Sequence, residues 1–94
     1  MSNYEMVVIL DPEIKGEEQE KLLSKIKKFI TDAEGKVAKE KDWGKKELAY
    51  PIKKRNAGIF HILNFSAPSP SLSSLRQRIE LEDKVLRYLM IASE

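Results

Sequence analysis

Cysteine is absent from this 94-residue sequence, and histidine occurs once, at position 61. Without cysteine the chain can form no disulfide, thiolate zinc site, iron–sulfur cluster or cysteine nucleophile. A single histidine likewise excludes a metal centre built from several imidazoles. We therefore expect neither a metal nor a cofactor.

Long hydrophobic runs and targeting segments are also missing. No apolar run approaches the roughly 18 residues that a membrane-spanning helix needs. Residues 1–5 have no basic stretch and no small-residue cleavage site of the kind that marks a secretory signal. We therefore expect a cytoplasmic protein with no membrane partner.

Neither sign of charge dominates, because 17 Lys and Arg residues oppose 15 Asp and Glu residues and leave a net charge of +2. Such a balance neither requires nor excludes a nucleic-acid partner, so the distribution of charge must decide. Hydrophobic residues make up 41% of the chain, which is too many for a disordered tail. The length predicts a single domain over residues 1–94, because a second core would need more chain.

Hydrophobic periodicity predicts two central strands and a long helix. Segments 4–10 and 59–65 are apolar at both alternating positions, which is typical of strands in the middle of a sheet. Residues 16–34 switch to three- and four-residue spacing, which predicts an amphipathic helix ending at a left-handed cap on Gly35. The helix residues expected in the core include Ile26, Phe29 and Ile30.

The segment between the central strands predicts an edge strand. Residues 37–53 are mostly polar and contain Gly44, which suggests a bulge or turn, and Pro51, which confines the strand to a sheet edge. The polar segment 53–58 is expected to be the loop of a hairpin. The remaining elements are a second helix, with Ser69 as cap and Pro70 at its first position, and a last strand over residues 85–92.

The order β-α-β-β-α-β predicts an α+β fold, the ferredoxin-like split β-α-β sandwich. In this fold a four-stranded antiparallel sheet has the order 4-1-3-2, and both helices cover one face. The other face is open to solvent or to a partner. Depending on the phase of the first strand, it receives Glu5, Val7 and Ile9, which is too apolar for a fully solvated surface.

Candidate catalytic groups are isolated in this sequence. His61 has no nucleophile or orienting carboxylate nearby, so we interpret it as a surface or partly buried sheet residue. Glu80, Glu82 and Asp83 stand beside basic residues and indicate a charge-balanced turn. The acylphosphatases, enzymes of similar topology, need an Arg in a Gly-rich first loop, and segment 11–16 has none. We predict no catalytic residue and no small-molecule substrate.

Basic residues suggest contacts with RNA phosphates. Lys45 and Lys46 lie on the predicted edge strand, 53–55 form a basic run at the hairpin tip, and Arg87 lies on the last strand. Base stacking on the sheet is disfavoured, because the RNA-recognition motif needs aromatic residues where this chain has Ile59 and His61.

Four motifs resemble the bacterial ribosomal protein S6 family over essentially the whole chain. Tyr4-Glu5 opens the first strand, which ends in Leu10-Asp11-Pro12. Gly44 precedes Leu48-Ala49-Tyr50-Pro51-Ile52, the most specific of the four motifs. Gly58 and Phe60 follow the hairpin tip, and Asp83-Lys84-Val85-Leu86-Arg87-Tyr88 begins the last strand. Departures include Glu47, where many relatives are more arginine-rich. Because the sequence ends at Glu94, we also expect no contacts of the kind that longer members make through a C-terminal extension.

The resemblance implies a structural constituent of the small ribosomal subunit. Such a protein would bind the central domain of 16S rRNA together with a small basic partner, ribosomal protein S18. The residues expected at the RNA are Lys45, Lys46, Lys53, Lys54, Arg55 and Arg87, and those expected at the protein partner are Val7, Ile9, Leu48 and Tyr50. Two alternatives stay open: a free-standing RNA-binding module of ferredoxin-like fold, and a small non-ribosomal enzyme or ligand-binding domain.

Overall fold

A computed structural model describes residues 2–93 as a four-stranded antiparallel sheet with two helices. The elements are β1 (Ser2–Leu10), α1 (Gly16–Asp32), β2 (Lys36–Ile52), β3 (Arg55–Ala67), a 3₁₀ turn (Ser69–Ser71), α2 (Leu72–Glu80) and β4 (Val85–Ser93). The strand order β2-β3-β1-β4 is the predicted order 4-1-3-2 counted from the opposite edge, so the predicted fold is confirmed. Within 2–93, no helix has the length and hydrophobicity to cross a membrane.

The core lies between the sheet and the two helices. Alternate residues of β1 point toward the helices, and Met6, Val8 and Leu10 are completely buried. The cross-strand partners of Met6 and Val8 on β3, Leu63 and His61, are buried on the same face. The helices contribute Leu22, Leu23, Ile26, Ile30, Leu75 and Ile79 to this core.

Helix α1 differs from its prediction in the burial of one residue and in the residue that ends the helix. Ile26 and Ile30 are fully buried, but Phe29 is only partly buried, with the Arg78 guanidinium carbon 5.6 Å from its ring centroid. The left-handed residue after the helix is Glu34 (φ 63°) rather than Gly35. Gly35 is needed for another reason, because a Cβ there would lie 2.7 Å from the backbone oxygen of Ser66.

The hairpin between β2 and β3 is tighter than predicted. Its loop is the pair Lys53-Lys54, both with positive φ (49° and 67°), and Ile52 already pairs with Arg55. Two successive left-handed residues are the geometry of a two-residue hairpin turn whose twist matches the strands. The predicted loop over residues 53–58 was therefore too long, because strand pairing continues through that polar segment.

Two irregularities shape β2. The predicted bulge is confirmed at Gly44 (φ 77°), where the ladder shifts register after Asp42. A second shift separates the pairs Glu47–Ala57 and Ile52–Arg55, so that β2 holds three more residues than β3 in this interval. Pro51 lies in this interval, where the missing N–H removes no ladder hydrogen bond.

The start of α2 also differs from its prediction. Ser69 does not cap the helix with its side chain, because residues 69–71 form the separate 3₁₀ turn and Pro68 takes the cap position. The regular helix then begins at Leu72, and no side-chain cap is present there either.

Candidate functional site

The centre of the open face is apolar. In the register of the sheet, Val7 lies between Ile62 of β3 and Leu89 of β4. Directly opposite residues of an antiparallel sheet share a face, so these three side chains form a row on the face opposite to the two helices of residues 2–93. Leu89 is 52% exposed and Ile91, further along β4, is 48% exposed.

The irregular part of β2 reaches across this face and forms a groove. Leu48, Tyr50 and Ile52 face the floor of the sheet, and the Arg87 Nη1 on β4 donates a hydrogen bond to the Tyr50 hydroxyl at 3.4 Å. This contact links the two edge strands above the sheet. We call the resulting cavity of about 320 Å³ the apolar groove; its lining includes Val7, Ile9, Phe60, Leu89, Leu48, Tyr50 and Ile52.

All four residues predicted for a protein partner therefore line one cavity. Val7 and Ile9 belong to its floor, and Leu48 and Tyr50 to its overhanging wall. Sequence pattern alone could not join them, because the two pairs come from strands that are not neighbours in the sheet. Their role in binding a partner stays a prediction.

Gly58 maintains the close contact at one end of the groove. A Cβ at this position would lie 2.4 Å from Cγ2 of Ile9, which is far inside van der Waals contact. Only glycine lets β3 approach the Ile9 side chain so closely. The structural role of Gly58 is thus to leave room for the Ile9 side chain beside β3.

Charges on β2 are divided between the two faces of the sheet. Lys39, Lys41 and Lys46 pair with Asn64, Ile62 and Gly58 and share the phase of the open face. The acidic residues of β2 pair in the opposite phase, and they are Glu40, Asp42 and Glu47. The open face therefore carries a basic edge, which we call the open-face lysines: Lys39, Lys41 and Lys46.

Two of these lysines were missed in the sequence analysis. Lys39 precedes Glu40, and Lys41 stands between Glu40 and Asp42, so the local sequence suggests a neutral strand. In a regular strand, alternation would assign the basic and acidic residues to opposite faces. The register shifts after Val37 and after Asp42 break this alternation, so the sequence alone does not tell which residues share a face.

The predicted RNA residues do not all lie on one surface. Lys45 pairs with Ile59 in the phase of the helix-covered side, opposite to its neighbour Lys46. Lys53 does not extend freely from the hairpin tip, because its Nζ donates to the carbonyl oxygen of Val85 at 3.3 Å. Lys54 is exposed in the turn.

Arg55 is drawn back from the tip by two carboxylates. Its Nη2 lies 2.9 Å from Glu13 Oε2 and 3.4 Å from Asp11 Oδ2. Asp11 is nearly buried and also accepts a hydrogen bond from the Glu13 backbone N–H at 2.9 Å. Arg55 is therefore held against the turn after β1 with its charge locally balanced, and its role at the RNA stays a prediction.

His61 is more buried than predicted. Its side chain is on the helix-covered face, and the Gln19 amide nitrogen lies 2.7 Å from its Nε2. In the described part of the chain, Nδ1 has no hydrogen-bond partner. Among residues 2–93, the hydrogen bond of the ring is made to Gln19 and not to a nucleophile or carboxylate, as is typical of a core residue.

The acidic residues near the end of α2 have structural partners. Glu80 Oε1 accepts a hydrogen bond from the Tyr88 hydroxyl at 2.6 Å, and Glu82 forms an ion pair with Lys25 at 2.9 Å. Desolvation and the contact with Glu80 raise the pKa of Tyr88. Between Ser2 and Ser93, no group of three or more His, Asp or Glu residues has the geometry to hold a metal ion.

Comparison with known proteins gives matches over nearly the whole chain. A family model described as ribosomal protein S6 matches residues 3–92. Small ribosomal subunit protein bS6 of Caldanaerobacter subterraneus subsp. tengcongensis is 36% identical over 95 residues, covering 100% of this chain and 99% of that protein. The bS6 protein of Geobacter sulfurreducens is 36% identical over 91 residues, covering 97% of this chain and 78% of that protein.

A solved structure matches the same fold. The crystal structure of 30S ribosomal protein S6 from Thermotoga maritima is similar with a TM-score of 0.93 at 28% sequence identity. The match covers 98% of this chain and 87% of the Thermotoga chain. The similarity therefore includes the strands that form the apolar groove as well as the helix-covered core.

Proposed function

The chain belongs to the ribosomal protein S6 family, and from this premise we propose that it binds small-subunit rRNA through its open-face lysines and ribosomal protein S18 through its apolar groove. Membership confirms the resemblance found in the motifs. The chain is a protein of the small ribosomal subunit and not an enzyme. The alternatives of a free-standing RNA module and of a small enzyme or ligand-binding domain are accordingly set aside.

The observation that carries the RNA part of the proposal is the division of charge across β2. The three open-face lysines share the open-face phase with Lys36 at the start of the strand, while the three acidic residues of the strand share the other phase. Glu40 is further neutralised by an ion pair with Lys27 of α1. The open face can thus approach a phosphate backbone without repulsion from these carboxylates, as contacts with RNA require.

The apolar groove supports the protein part of the proposal. Tyr50 is 63% exposed and Leu89 is 52% exposed, although both are large and hydrophobic. A partner that inserts apolar side chains between them would remove this surface from water, at roughly 25 cal/mol for each Å² of apolar area. Lys46 and Arg87 occupy the edge strands on either side, so rRNA and the partner can bind next to each other.

RNA binding without the partner protein is expected to be weak. The middle row of the open face consists of Ile62, Val7 and Leu89, and Phe60 in the next row lies inside the apolar groove assigned to the partner, so neither row presents a ring for a stack of bases. Phosphate contacts by the three open-face lysines, Lys54 and Arg87 would number about three to five, and the affinity should then fall steeply with salt. Tight and salt-insensitive binding to RNA alone would contradict this.

The test of the proposal compares two triple variants with equal loss of charge. The first is Lys39→Gln/Lys41→Gln/Lys46→Gln, on the open face. The matched control replaces the exposed Lys21, Lys28 and Lys84 by Gln on the helix-covered side. Both are mixed with S18 and a central-domain 16S rRNA fragment, and the binding constant is measured over a range of salt concentrations.

The open-face variant should reduce the slope of log K against log salt by about two to three units, since each lost phosphate contact is worth about 0.7 to 0.9. The control variant should keep the slope of the original protein. Equal slopes for the two variants would overturn the proposal that the open-face lysines bind the RNA. Arg87→Ala should reduce the slope by about one unit, while Arg55→Ala should leave it unchanged, because Asp11 and Glu13 already balance that charge.

A further inference from the structure

Trp43 is the sole tryptophan of the chain, and half of its surface is exposed (51%). It is the extra residue of the β2 bulge, because the ladder pairs Asp42 with His61 and then Gly44 with Phe60. An indole in this position loses the burial that normally stabilises so large an apolar side chain. Its exposure is therefore a feature that folding alone does not explain.

The bulge that presents Trp43 is held in one conformation by its neighbours. The Asp42 Oδ1 accepts a hydrogen bond from the Gly44 backbone N–H at 2.7 Å, which closes a turn around the tryptophan. Gly44 supplies the positive φ (77°) that this turn needs. The indole is thus fixed to a structured part of the edge strand.

Trp43 is separate from the apolar groove. It does not belong to the groove lining, whereas Tyr50 and Leu89, two of the other large exposed hydrophobic residues, do. A protein partner in the apolar groove would contact that continuous apolar surface and would not need Trp43. A single aromatic ring outside the apolar groove is suited to a small aromatic ligand that can stack on it.

The charges around the indole favour a nucleotide as that ligand. Lys46 places its Nζ 4.8 Å from the centroid of the ring, a cation–π contact. Lys41 and Lys45 are also within two residues of Trp43 in sequence. Of the nearby acidic groups, Asp42 accepts a hydrogen bond from the Gly44 N–H, Glu40 pairs with Lys27, and Glu47 has the phase of the opposite face. An aromatic ring beside several ammonium groups is the arrangement that binds a base and its phosphates together.

We propose that Trp43 stacks on one unpaired nucleobase of the bound RNA, with Lys41 and Lys46 holding the phosphates beside it. This inference rests on the proposed function, since it names one nucleotide contact within the RNA interface. It adds a stacking contact at the edge of the sheet, distinct from the base stacking on central strands that the sequence disfavours.

The fluorescence of Trp43 reports directly on this contact. The full-length protein is titrated at low salt with short single-stranded oligoadenylate and, separately, with inorganic polyphosphate of matched charge. Both polyanions can occupy the lysines, but only the oligoadenylate has bases to stack. We expect the oligoadenylate to quench the emission of Trp43 and the polyphosphate to leave its intensity unchanged; equal quenching by both would overturn the stack.

Substitutions then separate the contribution of the Trp43 ring to RNA affinity from the contribution of the lysine charges. Trp43→Leu should weaken oligoadenylate binding at least about five-fold, the lower end of the effect of one stacked base. Trp43→Phe, which keeps an aromatic ring, should retain most of the affinity. Leu81→Ala is the matched control, because Leu81 is 79% exposed and lies outside both proposed surfaces.

The salt dependence distinguishes failure of this inference from failure of the proposed function. Trp43→Leu removes no charge, so it should lower the affinity equally at every salt concentration and keep the slope. The protein could bind RNA with the expected slope of log K against log salt, yet show no quenching of Trp43 and no loss of affinity in Trp43→Leu. That result would overturn the stacking contact and leave the rRNA proposal standing. A protein that fails to bind RNA, with or without S18, would overturn both. A change in Trp43 emission on adding S18 but not RNA would make Trp43 a protein contact and overturn the inference.

Discussion

The two faces of the sheet differ far more in burial than in hydrophobicity. Along β1, Val8 and Leu10 point toward the helices and are fully buried, while Val7 and Ile9 point the other way and remain partly exposed. All four side chains are aliphatic. The difference arises because, among residues 2–93, both helices pack on one face of the sheet, while the other face is covered in part by the segment of β2 that lines the groove.

This contrast shows how to interpret an apolar residue in a small sheet protein. On the helix-covered face, hydrophobicity is explained by folding, since burial of apolar area is the dominant stabilising contribution. On the open face, Ile62 is buried by its neighbours, but Val7 and Ile9 stay partly exposed and Leu89 and Ile91 keep about half of their surface available. Their presence there is explained by association with another molecule.

The largest expected effect tests the helix-covered face. Ile26 is completely buried under the sheet, so Ile26→Ala should lower the free energy of unfolding by about 2–5 kcal/mol through lost burial and a residual cavity. Urea denaturation gives this value. The milder variant Ile26→Val should cost about 0.5–1.5 kcal/mol. A loss below about 1 kcal/mol for the alanine variant, typical of surface positions, would contradict the observed phase of α1.

An intermediate effect is expected where the open face is packed most closely. Gly58→Ala would place a methyl group against Cγ2 of Ile9, and overpacking of this kind costs about 1–3 kcal/mol. Truncating the opposing side chain in the double variant Gly58→Ala/Ile9→Ala should recover part of that loss. Thermal unfolding of the two single variants and the double variant measures the coupling. Strict additivity of the two changes would mean that these residues do not clash.

The smallest effect on stability is expected at the exposed part of the groove. Leu89→Ser should change the free energy of unfolding by less than about 0.5 kcal/mol, because its side chain is already half in water. The matched change Leu63→Ser, on the buried face, should cost at least about 2 kcal/mol. The same Leu89 variant should weaken binding to S18 in a titration of the purified proteins. Unchanged S18 binding would remove Leu89 from the partner surface.

Much of the fold could be predicted because the relevant signals are local. The two central strands were identified from apolar residues at both alternating positions, and the edge strand from Pro51. The bulge at Gly44 was predicted because glycine readily takes a positive φ. In contrast, Lys53 and Lys54 carry no turn signature, so the two-residue hairpin was not foreseen.

The candidate site was harder to predict than the fold, because its residues meet only through the register of the sheet. The motif containing Leu48 and Tyr50 was recognised, but not that it crosses over the sheet to reach Arg87. Arg55 looks like a free cation in the sequence, yet Asp11 and Glu13 come from the turn after β1 to neutralise it.

The sequence by itself determined the order of the elements, the ferredoxin-like class and the motifs of the S6 family, since these depend on residue type and short spacings. Only the tertiary structure decided which side chains share a surface. In a strand, a shift of one residue moves every following side chain to the other face, and β2 contains several such shifts. The grouping of Lys39, Lys41 and Lys46, and the exposure of Trp43, follow from those shifts and from long-range pairing.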